Sequence, residues 1–206
     1  MRGELRALRH GQLWFAIAIC VVGFGGIFAV YTYIASTLTV VSGIPQGWVP
    51  AALALFGVGM TVGAVLGGRL ADRSVLRTIT FGLVAIVVVM AGFTALVHQP
   101  ATAVLGVFLL GMICMTVMPS MQARLLDVAP EAPTLAASIM HSATNSANAI
   151  GAWAGGLVLA AGAGHAAIGW LGAAMGLGGV ILACVSWGVG AASRSSSASG
   201  STGAQR

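Results

Sequence analysis

Residues 57–73 read GVGMTVGAVLGGRLADR, an apolar run that is spaced by glycines and ends in a cluster of charges. Glycine recurs at every fourth position, at Gly59, Gly63 and Gly67, so the three residues share one stripe of a helix. Stripes of small residues let helix backbones approach closely inside lipid, where apolar surface alone drives little association. We therefore predict a membrane helix that packs through these glycines and ends at the charged turn.

The composition of the whole chain is that of a membrane protein. Its 206 residues are 58% hydrophobic and 6% charged, whereas a soluble domain is about 25% charged. So few charges cannot cover the surface of a soluble domain of this size, so the lipid bilayer is the expected surrounding. The arginines are scattered between apolar runs and form no basic face, so we expect no nucleic-acid partner. The three cysteines have spacings that match no metal site, and we expect no metal and no other cofactor.

Six apolar segments are long enough to cross a bilayer, since a spanning helix needs roughly 20 apolar residues. Only helices suit such segments, because each must satisfy its own backbone polar groups within lipid. The predicted fold is an all-α membrane protein with a cytoplasmic N-terminal segment (residues 1–12), a six-helix bundle (13–190) and a disordered polar tail (191–206). The predicted spans are Leu13–Leu38, Val49–Ala71, Leu76–Val97, Ala101–Met121, Thr134–Ala161 and Ala166–Gly190.

The positions of the arginines predict the orientation of the bundle. All of them lie before the first span, around the second and fourth connections, or after the sixth span. The first, third and fifth connections contain no arginine. The positive-inside rule assigns the arginine-rich side to the cytoplasm. We therefore expect a multi-pass protein of the cell membrane with both termini in the cytoplasm.

The charged turn resembles a signature of the major facilitator superfamily. That signature has a glycine, Asp-Arg or Asp-Lys, and further basic residues in a tight cytoplasmic turn between the second and third helices of each half. Gly68, Asp72, Arg73 and Arg77 match it, whereas Val75 stands where the family usually has glycine. The resemblance implies a gate, in which Asp72 and Arg73 contact the other half of the transporter when the cytoplasmic side is closed. The alternative is that the charges only anchor the turn at the membrane surface.

Two further stretches resemble the drug and sugar efflux branch of the same superfamily. GFGGIFAVYTYIAS (residues 23–36) is similar to its seventh helix, and NSANAIGAWAGGLVLAAGAG (residues 145–164) is similar to its eleventh. Family members have twelve helices in two six-helix halves. The resemblance therefore implies that this chain is a C-terminal half, a bundle of six helices built as a 3+3 inverted repeat.

Polar side chains are concentrated in the first, fourth and fifth predicted spans, which in the family line or flank the substrate cavity. The third and sixth spans are less polar, and we expect them to face lipid. His141, Asn145 and Asn148 follow an i, i+4, i+7 spacing and so share one helix face. These polar residues could instead form hydrogen bonds between helices, worth on average about 0.6 kcal/mol each. The predicted substrate-cavity residues are Tyr31, Thr32, Met115, His141, Asn145 and Asn148.

The resemblance implies efflux of small organic molecules, drugs or sugars, by proton-coupled alternating access around a mid-membrane site. No Asp or Glu lies deep in a predicted span, so His141 would have to carry the coupling, or this chain lacks the coupling group. A half needs a partner, which could be a separate N-terminal half or a second copy of this chain. The alternatives are an inactive half and a membrane-embedded protein that binds and regulates a full-length transporter. We do not expect an enzyme, because no G-x-S-x-G or H-E-x-x-H motif is present.

Overall fold

In the computed structural model, the described residues 11–128, 130 and 132–202 form helices and short connections, with no strand among them. Side chains are described as far as Gly188. The helices are α1 (Gly11–Thr32), α2 (Ile34–Val40), α3 (Val49–Arg73), α4 (Val75–Leu96), α5 (Pro100–Val128), α6 (Pro133–Ala160) and α7 (Ala167–Thr202), with a 3-10 turn at Gln46–Trp48 before α3.

Six long helical segments correspond to the six predicted spans, and α1 and α2 together form the first of them. Five helices of the described chain are long and apolar enough to cross a membrane, namely α1, α3 with its preceding turn, α4, α5 and α7. Helix α6 has 28 residues, or about 42 Å at 1.5 Å per residue, which is also long enough to cross. It is not among the five, and it contains the polar side chains of the predicted cavity.

The first span is interrupted at Tyr33, which has φ −104° and ψ 10°. The carbonyl oxygen of Tyr33 accepts hydrogen bonds from the hydroxyl groups of Ser36 (2.9 Å) and Thr37 (2.8 Å) in addition to the Thr37 backbone N–H (2.9 Å). Hydroxyl groups that bond to the carbonyl of the preceding turn bend helices. The cluster of Ser and Thr in this segment is therefore a physical cause of the break, which contains neither proline nor glycine.

The last helix is longer than the sequence predicts. Composition predicts a disordered tail from residue 191, whereas the structure continues α7 as a helix to Thr202. No proline interrupts residues 167–202, and alanine favours the helix, so the backbone can continue past the end of the apolar part. Residues 203–206 lie outside the described residues, as do residues 1–10 of the predicted N-terminal segment, and α1 begins at Gly11.

Helices α3 and α6 lie at opposite edges of the bundle. Helix α3 packs mainly against α5, and α6 packs mainly against α1. Between these edges, α4 packs against α5 and α7, and α7 packs against α1. The third and sixth predicted spans, α4 and α7, therefore have one buried side, and each also exposes apolar residues such as Phe81 and Trp170.

Helix directions follow from the residues that meet across each interface. Cys20 of α1 and Tyr33, which directly follows α1, lie beside Thr144 and Ala152 of α6 in the same order, so the first span and α6 are parallel. Residues that meet between α3 and α5 also follow the same order in both helices. Parallel directions for alternate spans are what successive crossings of a membrane require.

One end of the bundle is joined by a hydrogen-bonded group centred on Gln12. The Gln12 amide donates to the carbonyl oxygen of Ser186 (3.2 Å), and its side-chain oxygen accepts from the Ser186 hydroxyl (3.1 Å) and from Arg124 (3.2 Å). The start of α1, the end of α5 and α7 are thereby tied together. Gln12, Arg124 and Ser186 line one small cavity, and Leu76 of α4 lines it as well. The arginine-bearing ends of α4 and α5 therefore lie at one end of the molecule.

Candidate functional site

Helices α3 and α5 contact each other through backbone atoms along the glycine stripe. Gly59, Gly63 and Gly67 are buried. A Cβ atom at these positions would overlap the backbone of Phe108, Met112 and Thr116, respectively. The Thr116 hydroxyl also donates to the Gly63 carbonyl oxygen at 3.3 Å. The structure thus places the three predicted packing glycines at close backbone contacts between the two helices.

Helix α1 uses a second set of glycines that sequence reasoning did not single out as packing residues. A Cβ at Gly26 would lie 2.7 Å from the Cα of Gly172 in α7. On another side of α1, a Cβ at Gly151 of α6 would overlap the Gly25 carbonyl group. The sequence carries a signal for this packing, since glycine and alanine recur at positions 23–29. Small residues on several sides of one helix predict a close neighbour on each of those sides.

The polar face of α6, formed by Ser138, His141, Asn145 and Asn148, is open in the structure. All four residues are exposed, whereas Met140 and Ala147 on the side towards α1 are buried. His141, Asn145 and Asn148 make no side-chain hydrogen bond to another described residue. The Ser138 hydroxyl bonds to the carbonyl of its own helix, at Thr134, over 3.0 Å. Amide and imidazole groups on this face are therefore available to bind something outside the described chain.

The opposite exposed side of α6 is apolar. Ile150 (42% exposed), Trp153 (67%) and Leu157 (50%) follow an i, i+3, i+7 spacing and form the apolar face of α6. Helix α6 therefore has three distinct sides: one packed on α1, one polar and open, and one apolar and open. An apolar open side suits contact with lipid, whereas an open polar side within a membrane span does not.

Tyr31 and Thr32 lie at the end of α1, on the exposed surface. The Tyr31 ring is 44% exposed and stands 4.9 Å, between ring centroids, from Phe56 of α3. The Thr32 hydroxyl bonds to the Phe28 carbonyl oxygen at 2.8 Å. The neighbouring Tyr33 points elsewhere, because its hydroxyl donates to the Ala152 carbonyl oxygen of α6 at 3.0 Å.

The contacts between α1 and α6 set the relative depth of the predicted cavity residues. Cys20 lies beside Thr144, and Tyr31 is eleven residues, or about 16 Å, further along the first span. Asn148 is only about 6 Å beyond Thr144 along the parallel α6, so Tyr31 lies about 10 Å beyond the level of Asn148. The structure therefore does not bring Tyr31 and Thr32 to the depth of the polar face of α6.

Helix α5 contributes less to an open site than its polar residues predict. Met115 is half-buried, and its carbonyl oxygen lies beside Gly67 of α3. The Thr116 hydroxyl bonds to backbone carbonyls, and Ser120 is fully buried with no hydrogen-bond partner among the described residues. Pro119 lies inside α5, which stays one continuous helix. The Thr116 hydroxyl therefore serves the packing of α5 and its own backbone.

The charged turn lies where α3 ends and α4 begins. Ser74 is the N-cap of α4, and its hydroxyl accepts a hydrogen bond from the Arg77 backbone N–H at 3.4 Å. Asp72, Arg73 and Arg77 are all exposed, and Gly68 has open space where a Cβ would stand. None of the three charged side chains forms an ion pair with another described residue. The predicted gate residues therefore sit together at one surface with their charges unpaired.

Comparison with known proteins decides the family. The model of the Major Facilitator Superfamily matches residues 3–152, which is more than half of the chain. The chain belongs to the Major Facilitator Superfamily. The resemblance seen in the sequence is thereby confirmed, as is the fold class of an all-α membrane protein with the form of half a superfamily bundle.

Curated relatives of this superfamily member are named as transporters or as a resistance protein. The inner membrane transport protein YdhP of Escherichia coli K12 is 37% identical over 173 residues, which cover 84% of this chain and 44% of the relative. The chloramphenicol resistance protein of Streptomyces lividans is 31% identical over 80% of this chain and 41% of its own length. The uncharacterized MFS-type transporter YfhI of Bacillus subtilis is 30% identical over 77% and 40%, respectively. The chain thus spans less than half the length of these relatives.

Proposed function

We propose that this chain is the C-terminal six-helix half of an efflux transporter for small organic molecules. The observation that carries the proposal is the polar face of α6, where His141, Asn145 and Asn148 are exposed and unpaired among the described residues. Ionisable and amide groups at membrane depth are costly unless they face a cavity or a partner. In this superfamily the cavity lies between two halves, so the polar face would point towards the other half.

The partner is proposed to be a second six-helix unit, either an N-terminal half or a second copy of this chain. The relatives support this because they are more than twice as long as the region that matches. Substrate would be held between the two units at the depth of Asn145 and Asn148, and alternating access would follow from rocking of one unit against the other. His141 is the one titratable side chain on the polar face, so it is the proposed carrier of proton coupling.

The first experiment measures accumulation of radiolabelled chloramphenicol in bacterial cells, a probe suggested by the name of the Streptomyces relative. The chain is expressed alone, and together with the unmatched remainder of the Escherichia coli relative. We expect efflux in at least one of these conditions, and a loss of about tenfold or more in Asn145→Ala and Asn148→Ala. The matched control is Ile150→Ala, on the apolar face of α6, which should retain efflux.

Two results would contradict the proposal. Efflux that survives both asparagine changes would show that the polar face does not bind substrate. Stable expression without efflux of chloramphenicol or other drug and sugar probes, with either partner, would instead favour an inactive half or a regulatory membrane protein.

The charged turn is proposed to act as a cytoplasmic gate, with the arginine-bearing end of the bundle in the cytoplasm of the cell. Asp72 is exposed at the end of α3 and has no partner in the described chain, so its carboxylate is free to contact the other half. An acidic group near a helix N-terminus of that half would be stabilised by about 0.3–1 kcal/mol at an exposed site.

Neutralising this carboxylate tests the gate. Asp72→Asn should lower efflux at least severalfold in the assembled transporter and leave the amount of folded protein unchanged, because Asp72 is exposed and its side chain makes no hydrogen bond or ion pair with a described residue. Asp127→Asn is the matched control, since Asp127 is an exposed carboxylate at the same end, on α5. Wild-type flux in Asp72→Asn would exclude the gate.

A further inference from the structure

A groove runs between the end of α3 and the start of α4, with α5 beneath it. It encloses about 400 Å³. Helices α3 and α4 each pack against α5 and only slightly against one another, which leaves the groove open on the outside of the bundle. The groove is lined by Leu70, Arg73, Ser74, Arg77, Thr78, Phe81, Gly82, Ala85 and Thr116.

The chemistry of the groove changes along its length. Arg73, Ser74 and Arg77 lie at the charged turn, where the helices end. Phe81 and Ala85 follow Arg77 at i+4 and i+8, so they line the same side of α4 about 6 and 12 Å further along the helix. Phe81 is 72% exposed, a large apolar surface that no described residue covers. The groove is therefore cationic at its outer end and apolar towards the middle of the membrane.

The positive charge of the groove is not neutralised by any residue that the structure describes. The lining contains two arginines and no carboxylate. Arg73 and Arg77 are exposed and form no ion pair with a described residue. Asp72 and Arg69 lie nearby on α3, but neither lines the groove. An anion at the outer end would meet two guanidinium groups and the Ser74 hydroxyl without facing an acidic side chain.

We propose that this groove binds one anionic phospholipid, with its phosphate at Arg73 and Arg77 and an acyl chain along Phe81 and Ala85. Basic pockets between membrane helices are suited to anionic lipid head groups. A free phosphate would leave the apolar part of the groove unfilled, and a zwitterionic lipid would bring an ammonium group next to two arginines. The proposal requires only that the chain is a membrane protein, so it is independent of transport.

Native mass spectrometry of the purified full-length chain in detergent tests the site. The probes are phosphatidylglycerol and phosphatidylcholine with identical acyl chains. We expect one tightly bound phosphatidylglycerol and weaker binding of phosphatidylcholine. Arg73→Gln and Arg77→Gln should each weaken phosphatidylglycerol binding, on the order of fivefold per arginine, and the double variant should lose most of the preference.

Matched variants separate this site from general attraction to a basic protein. Arg69→Gln removes the same charge from the same end of α3 but not from the groove, and should bind phosphatidylglycerol as the wild type does. Ala85→Trp fills the apolar part of the groove and should weaken binding. Val88 is exposed on α4 and does not line the groove, so Val88→Trp should leave binding unchanged.

Four outcomes would overturn the proposal. Equal binding of the two lipids, or an equal loss in Arg69→Gln and Arg77→Gln, would mean that no specific anionic lipid site exists. Displacement of the bound lipid by millimolar inorganic phosphate would identify an anion site and not a lipid site. Unchanged binding in Ala85→Trp would show that the acyl chain does not lie in the groove.

Discussion

The two edge helices, α3 and α6, pack in the same way but expose different chemistry. Each buries a stripe of small residues against one neighbour, α3 against α5 and α6 against α1. Beyond that stripe, α3 exposes aliphatic side chains such as Val58 and Val62, whereas α6 exposes His141, Asn145 and Asn148 on one side. Because glycine and alanine make the close contacts on both helices, the bundle does not need the polar residues of α6 for its packing.

The largest expected effect comes from breaking the stripe on α3. A methyl group at Gly63 would overlap the Met112 backbone. The backbone of a packed neighbouring helix cannot shift without a large energetic cost. Gly63→Ala should lower the free energy of unfolding by about 1–3 kcal/mol. The measurement is unfolding in mixed micelles with increasing dodecyl sulfate, followed by circular dichroism. Gly57→Ala is the matched control, because nothing lies within 4 Å of a Cβ at Gly57; equal destabilisation of both variants would contradict the account.

A smaller effect is expected where Tyr33, between α1 and α2, contacts α6. Tyr33→Phe removes the hydrogen bond from the hydroxyl to the Ala152 carbonyl oxygen and keeps the ring against Gly155. Hydrogen bonds between membrane helices are worth about 0.6 kcal/mol on average, and we expect a loss of that size in the same unfolding measurement. Tyr31→Phe is the control, since the Tyr31 hydroxyl makes no hydrogen bond to a described residue. A loss in Tyr31→Phe that matches the loss in Tyr33→Phe would refute the assignment.

Much of the fold could be predicted because long apolar segments leave the chain few alternatives. The start of α3 at Val49 and the end of α6 at Ala160 lie within one residue of the predicted limits. The break at Tyr33 could not be predicted from the apolar segments, because it depends on which hydroxyl groups donate to one carbonyl oxygen. Helix α5 continues to Val128, past the predicted end at Met121. Its last turns contain charged residues, but they still bury Leu125 against the bundle.

The candidate site was less predictable than the fold. The i, i+4, i+7 spacing placed His141, Asn145 and Asn148 on one face, and the structure shows that face open. Sequence alone could not show which polar residues bond to backbone, as Thr116 does. It also could not show that Arg73 and Arg77 share a groove from which Asp72 is absent, because that depends on how α3 and α4 diverge over α5.

The central claim is that the polar face of α6 meets water or a partner's cavity while its apolar face meets lipid. Cysteines introduced as Asn145→Cys and Ile150→Cys, in a chain whose Cys20, Cys114 and Cys184 are replaced by alanine, compare these faces directly. Both original side chains are exposed, so the packing of the described chain does not by itself separate them.

The measurement is the rate of reaction of each cysteine with a hydrophilic maleimide in native membranes, relative to the same protein denatured in dodecyl sulfate. The account predicts that the cysteine at position 145 reacts and that the one at position 150 does not. Reaction at position 150 as fast as at position 145, or no reaction at position 145, would contradict it.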